Sequence, residues 1–431
     1  MASLAALLIF LTLALLGIPL VWALVVGSMV GALLLPGVPL EIVAEQVFAG
    51  FDSFVLVAIP LFMLAGELLN KGGVIREVVR AFLARIPRSR ETLPLANIFT
   101  SVLFSGVNGS ALADTSAIGG VLIPAMSRAG HERSFASALT AASSVVGPIV
   151  PPSIVFIYYG SITGTSVADL FIGGVVPGLA VAVLLSIYVV WHTRLYYDAE
   201  AIGNGIQESS SANGVALWRL FVYALGLPIV VLGIGFGIVS PVEAAAVAVV
   251  YAIVCVIISA GLNFVSVVKT ATSRVAHLSG DILLLVAFSK LMAWVLIVDG
   301  VAGELSRYLA QTVNEGLYLL LIANILLIIL GTLVDTFPAI AIAMPVIEPA
   351  ANALGVDPIH LGVLVVVNLM VGAITPPVGG CIFLASKIGE VPFEATIREV
   401  VPMIIMLLVA VLLVTIFPTI ATALPTLLSG G

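Results

Sequence analysis

The chain has 431 residues, of which 61% are hydrophobic and 9% charged, and its formal net charge is −7. Soluble domains carry about 25% charged residues, so apolar side chains in this proportion have no water-soluble fold to hide in, and lipid is the remaining solvent. No basic stripe is present to neutralise phosphates, which argues against nucleic acid as a partner.

A bilayer crossing takes about 20 apolar residues. The first apolar run, about 2–35, reads either as two crossings kinked at Gly17-Ile18-Pro19 or as one long tilted helix. The first basic residue is Lys71, so a signal-peptide n-region is missing and this run is expected to stay as membrane structure. A crossing follows at about 54–70. The stretch at about 93–126 is too long for one crossing and is interrupted by Ser105-Gly106-Val107-Asn108-Gly109-Ser110. It reads as a re-entrant hairpin, two half-length helices meeting at a polar tip. Further spans are expected at about 134–159, 171–193, 217–239, 241–260 and 279–298. A second hairpin is expected at about 317–353, broken near Asp335-Thr336-Phe337-Pro338, followed by spans at about 359–386 and 399–420. Non-helical backbone at such depth is tolerated only where protein buries it or water reaches it.

Basic residues orient these segments. Lys71, Arg76, Arg80, Arg85, Arg88 and Arg90 precede the first hairpin, and Arg128 and Arg133 follow it, so both its ends are cytoplasmic. Counting onward, Arg194, Arg219, Lys269 and Arg274 return to the inside. The second hairpin is flanked by Asp299, Glu304, Glu315, Glu348 and Asp357 with a single Arg307, so it enters from outside.

Shifting the chain by 225 positions overlays it on itself without a gap. Gly147-Pro148-Ile149-Val150-Pro151-Pro152 falls on Gly372-Ala373-Ile374-Thr375-Pro376-Pro377. Gly106 meets Gly331, Pro124 meets Pro349, Gly130 meets Gly355, and Val175-Val176-Pro177 meets Val400-Val401-Pro402. The two halves, 1–205 and 206–431, therefore read as repeats, and their oppositely entering hairpins make them inverted. Inverted repeats with discontinuous helices at the midplane characterise secondary transporters.

Proline lacks an N–H and displaces the carbonyl four residues back. Pro151 and Pro152 are thus expected to free the carbonyls of Gly147 and Pro148, and Pro376 and Pro377 those of Gly372 and Ala373. Such carbonyls suit a hard cation such as sodium; a simple repaired kink is the competing reading. At the tips, Ser105, Asn108, Ser110, Thr332, Asp335 and Thr336 add side-chain oxygens, while helix N-termini favour anions. Asp114 and Asp335 are intramembrane carboxylates that either carry a proton or cap a broken helix, and Glu67, Glu243 and Asp281 sit nearer span ends. Cys255 and Cys381 lie in apolar runs and read as core residues. His131, His192, His277 and His360 lack a second ligand at i+3 or i+4, which argues against a zinc or iron site.

At Phe104 to Thr115, Gly147 to Ser153, Asp335 to Pro345 and Gly372 to Gly379 the chain resembles the large membrane subunit of TRAP transporters, the tripartite ATP-independent periplasmic uptake systems of the ion-transporter superfamily. The resemblance implies an all-α polytopic protein of the bacterial inner membrane, an inverted-repeat elevator carrier with two re-entrant hairpins and two broken helices. It implies sodium-driven import of a carboxylate such as a C4-dicarboxylate, keto acid or sialic acid. A periplasmic binding protein would deliver that substrate, and a separate small membrane subunit of about four helices would complete the scaffold. By motif position, one sodium site would involve Ser105, Asn108, Gly147, Val150 and Pro152. A second would involve Gly331, Gly372, Thr375 and Val378. Substrate would lie near Asn108, Gly109, Ser110, Asp335 and Thr336. The family commonly has Ser where Asn108 stands; Asn keeps an oxygen ligand.

Three other readings compete. A superfamily relative could capture anions directly, without a binding protein. An intramembrane aspartyl protease is faintly suggested by Tyr197-Asp198 and Ser279-Gly280-Asp281, but Leu278 precedes Ser279 and the first glycine of that motif is missing. A passive channel would leave the duplicated breaks unexplained.

Overall fold

The computed structural model describes residues 1–83, 89–196, 217–260, 263–313 and 315–428. Among them the regular structure is helical throughout, and seven helices are long and apolar enough to cross a membrane. This is a multi-pass membrane protein.

The N-terminal run forms two short helices, α1 (Ala2–Leu15) and α2 (Leu20–Leu34), divided at Leu16–Pro19. They pack antiparallel through glycine. A Cβ on Gly27 would meet the Ala6 carbonyl and Phe10, and one on Gly31 would meet Ala6. Next come α3 (Leu40–Phe51), a 3₁₀ turn (Phe54–Val57), α4 (Ala58–Lys71) and α5 (Val74–Leu83). The first hairpin is α6 (Thr92–Asn108) and α7 (Ala111–Arg128). Helical backbone therefore continues through Ser105–Asn108, where the sequence suggested a break, and only Gly109 and Ser110 interrupt it. Gly109 takes a left-handed φ of 53°, which a side chain would resist.

The first span with tandem prolines is α8 (Arg133–Ser144) and α9 (Ile154–Thr163), separated by nine non-helical residues, 145–153. It is followed by α10 (Val167–Tyr196). The second part of the chain runs α11 (Leu217–Ala224), α12 (Gly226–Gly235), α13 (Pro241–Ala260), α14 (Phe264–Val298) and α15 (Val301–Thr312). Then come α16 (Gly316–Leu333), α17 (Thr336–Ala353), α18 (Pro358–Gly372), α19 (Gly380–Gly389), α20 (Phe393–Ile416) and α21 (Thr419–Leu428). The break between α16 and α17 is Val334–Asp335, at the start of the expected Asp335–Pro338 stretch rather than across it. Phe337 and Pro338 lie in the first turn of α17, where a missing N–H costs nothing. The starts of α6–α10 fall within about two residues of those of α16–α20 under the 225-residue shift. The 151–152 and 376–377 peptide bonds are both cis.

The two interrupted spans lie side by side and antiparallel. Gly389 at the end of α19 packs on Ser137 in α8, and Gly362 in α18 packs on Tyr159 in α9. Pairs on either side of the breaks thus match, which brings 145–153 level with 373–379. Helices α16 and α18 approach backbone to backbone: a Cβ on Gly372 would fall 2.6–2.8 Å from the main chain of Gly331.

At the other end of this unit an aromatic cluster joins α8 to α10. Phe135 stacks on His192 (ring centroids 4.5 Å, interplanar 8°), His131 lies 6.0 Å from Phe135, and His192 Nε2 is 3.9 Å from Glu399 Oε2. Histidines isolated in sequence are neighbours here. Burial of His131 in the α7–α8 loop lowers its pKa to about 4, with a main-chain hydrogen bond to Arg90 partly offsetting this.

Gly372→Ala should force α16 and α18 apart and cost about 1–3 kcal/mol, read as a lower unfolding midpoint in detergent. Gly120→Ala, where nothing lies within 4 Å of the added carbon, should be neutral or slightly stabilising. For His131, the unfolded chain takes up a proton below about pH 6.5, while the native form resists it down to about 4. Stability should therefore fall as pH drops through that window, and His131→Gln should flatten the difference between pH 7 and pH 4.5 in thermal unfolding.

Candidate functional site

Four helix N-termini gather where the chain is non-helical. Ser110 caps α7, its hydroxyl accepting from Ala113 N at 3.5 Å. Ser153 caps α9, accepting from Phe156 N at 3.3 Å. Asp335 caps α17, its carboxylate accepting from Thr336 N at 2.7 Å. α19 begins after Gly379, whose φ of 43° turns the chain into the helix. Side-chain caps satisfy one of the four N–H groups that each helix start leaves open; the others remain for a ligand or water.

Packing links these ends. A Cβ on Gly109 would sit 2.9 Å from Ile154 N and 3.3 Å from the Pro152 carbonyl, so the first tip rests directly on the start of α9. Leu112 of α7 reaches Gly380 at the start of α19. Phe337 of α17 meets Tyr158 of α9 edge-on, centroids 5.1 Å apart. Cys381 lies beside Thr115 and within electrostatic reach of both Asp114 and Asp335. Both tips and both breaks therefore belong to one neighbourhood.

The structure places the sequence-predicted residues as follows. Gly109 and Pro152 come together, as do Gly331 and Gly372. Ser105 and Asn108 lie in the last turn of α6, and their side chains fall outside the described residues. Gly147 is packed against the Asp114 carboxylate, which is fully buried. Val150 turns its side chain onto Gly178 of α10, leaving only its main chain for a ligand. Thr375 Oγ1 donates to the Val371 carbonyl at 2.7 Å. The Gly372 carbonyl, expected to be freed by Pro376, instead accepts Thr375 N–H at 2.9 Å in a tight turn. Val378 is 56% exposed. Asp335 and Thr336 adjoin at the second tip, Asp335 exposed and Thr336 buried. Of the protease-like residues, Tyr197 and Asp198 lie outside the described residues, and Ser279 Oγ donates to Met63 Sδ at 3.7 Å.

Sequence reasoning missed two buried polar seams. In the first, Asn97 Nδ2 donates to Thr140 Oγ1 (2.7 Å), Ser143 Oγ donates to Asn97 Oδ1 (2.8 Å), and Ser101 Oγ donates to Ser143 Oγ (3.0 Å). These bonds bind α6 to α8. In the second, Asn368 Nδ2 donates to Asn324 Oδ1 (2.9 Å) and Asn324 Nδ2 to Thr415 Oγ1 (2.8 Å), binding α16 to α18 and α20. Ser143 and Asn368 occupy the same position under the 225-residue shift, and each bonds to an asparagine on the preceding hairpin's first helix. The available signal was a lone asparagine in an apolar helix, which demands a partner in lipid.

Comparison with known proteins places the chain in a family. The family model for the DctM component of tripartite ATP-independent periplasmic transporters matches residues 7–420. The sialic acid TRAP transporter large permease protein SiaM of Vibrio cholerae is 31% identical over 420 residues, covering 96% of each chain. The C4-dicarboxylate TRAP transporter large permease protein DctM of Pseudomonas aeruginosa is 33% identical, covering 89% of this chain and 88% of that one. The crystal structure of the Alcanivorax borkumensis YdaH transporter shares the fold, with a TM-score of 0.68 at 17% identity over 97% of this chain and 99% of that one. This chain belongs to the DctM family, the large permease subunits of TRAP transporters, and is a transport protein rather than an enzyme.

Proposed function

We propose that this chain is the membrane carrier of a sodium-driven importer of an organic acid in the bacterial inner membrane. The observation that carries this reading is the pair of antiparallel interrupted spans, whose breaks lie level with the N-termini of α7, α9, α17 and α19. Aligned helix N-termini attract a carboxylate. The sequence places no Lys or Arg within 93–127, 134–193 or 317–386. Charge compensation for an anion therefore falls to helix termini and co-bound cations, which favours ion-coupled uptake. The SiaM and DctM relatives are named for sialic acid and C4-dicarboxylates, both carboxylates, which supports that substrate class.

The oxygen chemistry suits sodium as the coupling ion. Thr375 spends its one hydroxyl proton on Val371, which leaves its lone pairs for a cation. Gly331, Gly372 and Val378 would complete that site with main-chain oxygens. At the other site Ser105, Asn108, Gly147, Val150 and Pro152 would ligate, with the buried Asp114 carboxyl packed beside Gly147. Substrate would sit between the tips, near Asn108, Gly109, Ser110, Asp335 and Thr336. The halves 1–205 and 206–431 are inverted repeats in this reading. Their two re-entrant hairpins and interrupted helices move together as an elevator against the remaining helices, which form the scaffold. A periplasmic binding protein delivers the acid, and a separate small membrane subunit of about four helices joins the scaffold.

In proteoliposomes holding all three components, uptake of the delivered acid should require an inward sodium gradient and stop when that gradient is collapsed. Thr375→Ala should raise the sodium concentration for half-maximal uptake by about fivefold, the worth of one neutral oxygen contact. Unchanged sodium dependence in that variant would remove Thr375 from the site.

A further inference from the structure

Helix α14 is longer than a bilayer crossing requires. At about 1.5 Å per residue its 35 residues extend roughly 52 Å, against a hydrocarbon layer of about 30 Å. The apolar crossing stretch is 282–298, whereas the preceding half is rich in polar residues. In that first half only Ala271, Val275 and Ser279 are buried, a single stripe at i, i+4 and i+8. The opposite face presents Lys269, Thr270, Ser273, Arg274, His277 and Leu278, which line one open recess of about 590 Å³.

The chemistry of that face is one-sided. Two permanent cations and the Ser273 hydroxyl supply donors for phosphate oxygens, joined by an imidazole whose imidazolium form donates at Nε2, whereas Thr270 spends its hydroxyl proton on the Ser266 carbonyl at 2.8 Å. Arg274 Nη1 is held by Glu67 Oε1 at 3.1 Å, which fixes the guanidinium while its other N–H groups remain for a ligand. The same Glu67 oxygen lies 4.0 Å from Lys71 Nζ, so its charge is already shared between two cations. His277 Nδ1 donates to the Ser273 carbonyl at 2.8 Å, which sets the ring and leaves Nε2 to the recess. Asp281, one turn beyond His277, is the carboxylate nearest along the exposed face. Leu278, 42% exposed, adds apolar surface at the level where the helix enters the membrane.

The geometry points to a site on this face of α14 for the phosphate headgroup of an anionic glycerophospholipid in the cytoplasmic leaflet. The inference rests on the basic-residue topology that puts Lys269 and Arg274 inside, and not on sodium coupling. A cation-rich interfacial helix flanked by apolar side chains is the physical form such recognition takes. A free phosphate would use the donors and ignore Leu278.

The test uses the full chain in nanodiscs of phosphatidylcholine with increasing phosphatidylglycerol, following the thermal unfolding midpoint and lipid retention by native mass spectrometry. Wild type should gain in midpoint and retain phosphatidylglycerol. K269Q/H277Q, which keeps the Arg274–Glu67 pair, should bind it about fivefold more weakly for the lysine alone, and K269R should behave as wild type. Equal midpoints for wild type and K269Q/H277Q in pure phosphatidylcholine would show that the double variant folds normally. Equal lipid retention by wild type and K269Q/H277Q would overturn the site. A gain reproduced by inorganic phosphate in pure phosphatidylcholine would assign the recess to a free anion instead. Protection of Lys269 from acetylation by an added membrane subunit, but not by phosphatidylglycerol, would make it a protein interface and overturn the proposal.

Discussion

Hydrocarbon offers no hydrogen bonds, so every main-chain group that leaves a helix inside it needs a partner. That constraint organises this molecule. The interruptions at Gly109–Ser110, 145–153, Val334–Asp335 and 373–379 are not scattered along separate helices but collected in one neighbourhood. There Ser110, Ser153 and Asp335 cap the helices that resume. The antiparallel course of the two interrupted spans makes this possible, because it sets helix starts from one half beside helix ends from the other. A place with opposed partial charges a few ångströms apart can hold an anion and a cation together, which a continuous helix bundle cannot.

The polar seams extend the same logic away from the breaks. Asn97 and Asn324 each sit on the first helix of a hairpin and each bonds across to an interrupted span, through Ser143 and Asn368. Their partners differ: the first seam uses hydroxyls of α8, whereas the second adds Thr415 of α20. The halves thus preserve the connection while changing the side chains that make it. At the second seam glycine adds a closer approach, where Gly331 meets Gly372. There hydrogen bonds and backbone contact together tie the hairpin's first helix, α16, to its interrupted neighbour.

Much of this was readable in the sequence, because proline and glycine act locally. Tandem prolines marked where helical backbone stops, and their constant spacing marked the register on which α6–α10 and α16–α20 begin. The limits of the breaks were less legible. Ser105–Asn108 contains two glycine-adjacent polar residues and still completes a helical turn, because residue propensity only weakly constrains where a helix ends. The turn that ties Gly372 to Thr375 was also invisible, because it depends on how the chain reverses after α18 rather than on residue type. Burial of Asp114 against Gly147 and the stacking of His192 on Phe135 arise from contacts between separate helices. No local pattern encodes them.

The short helices at the N-terminus carry a consequence for the surrounding membrane. α1 and α2 have 14 and 15 residues, about 21–23 Å of helix, and they display Leu4, Leu8, Trp22 and Leu33 outward. This falls short of an ordinary acyl layer by roughly 7–9 Å. Lipids beside the pair must compress to meet it, or another apolar surface must cover its ends. Where lipid does the covering, the bilayer thins into a shallow dimple around this corner of the molecule.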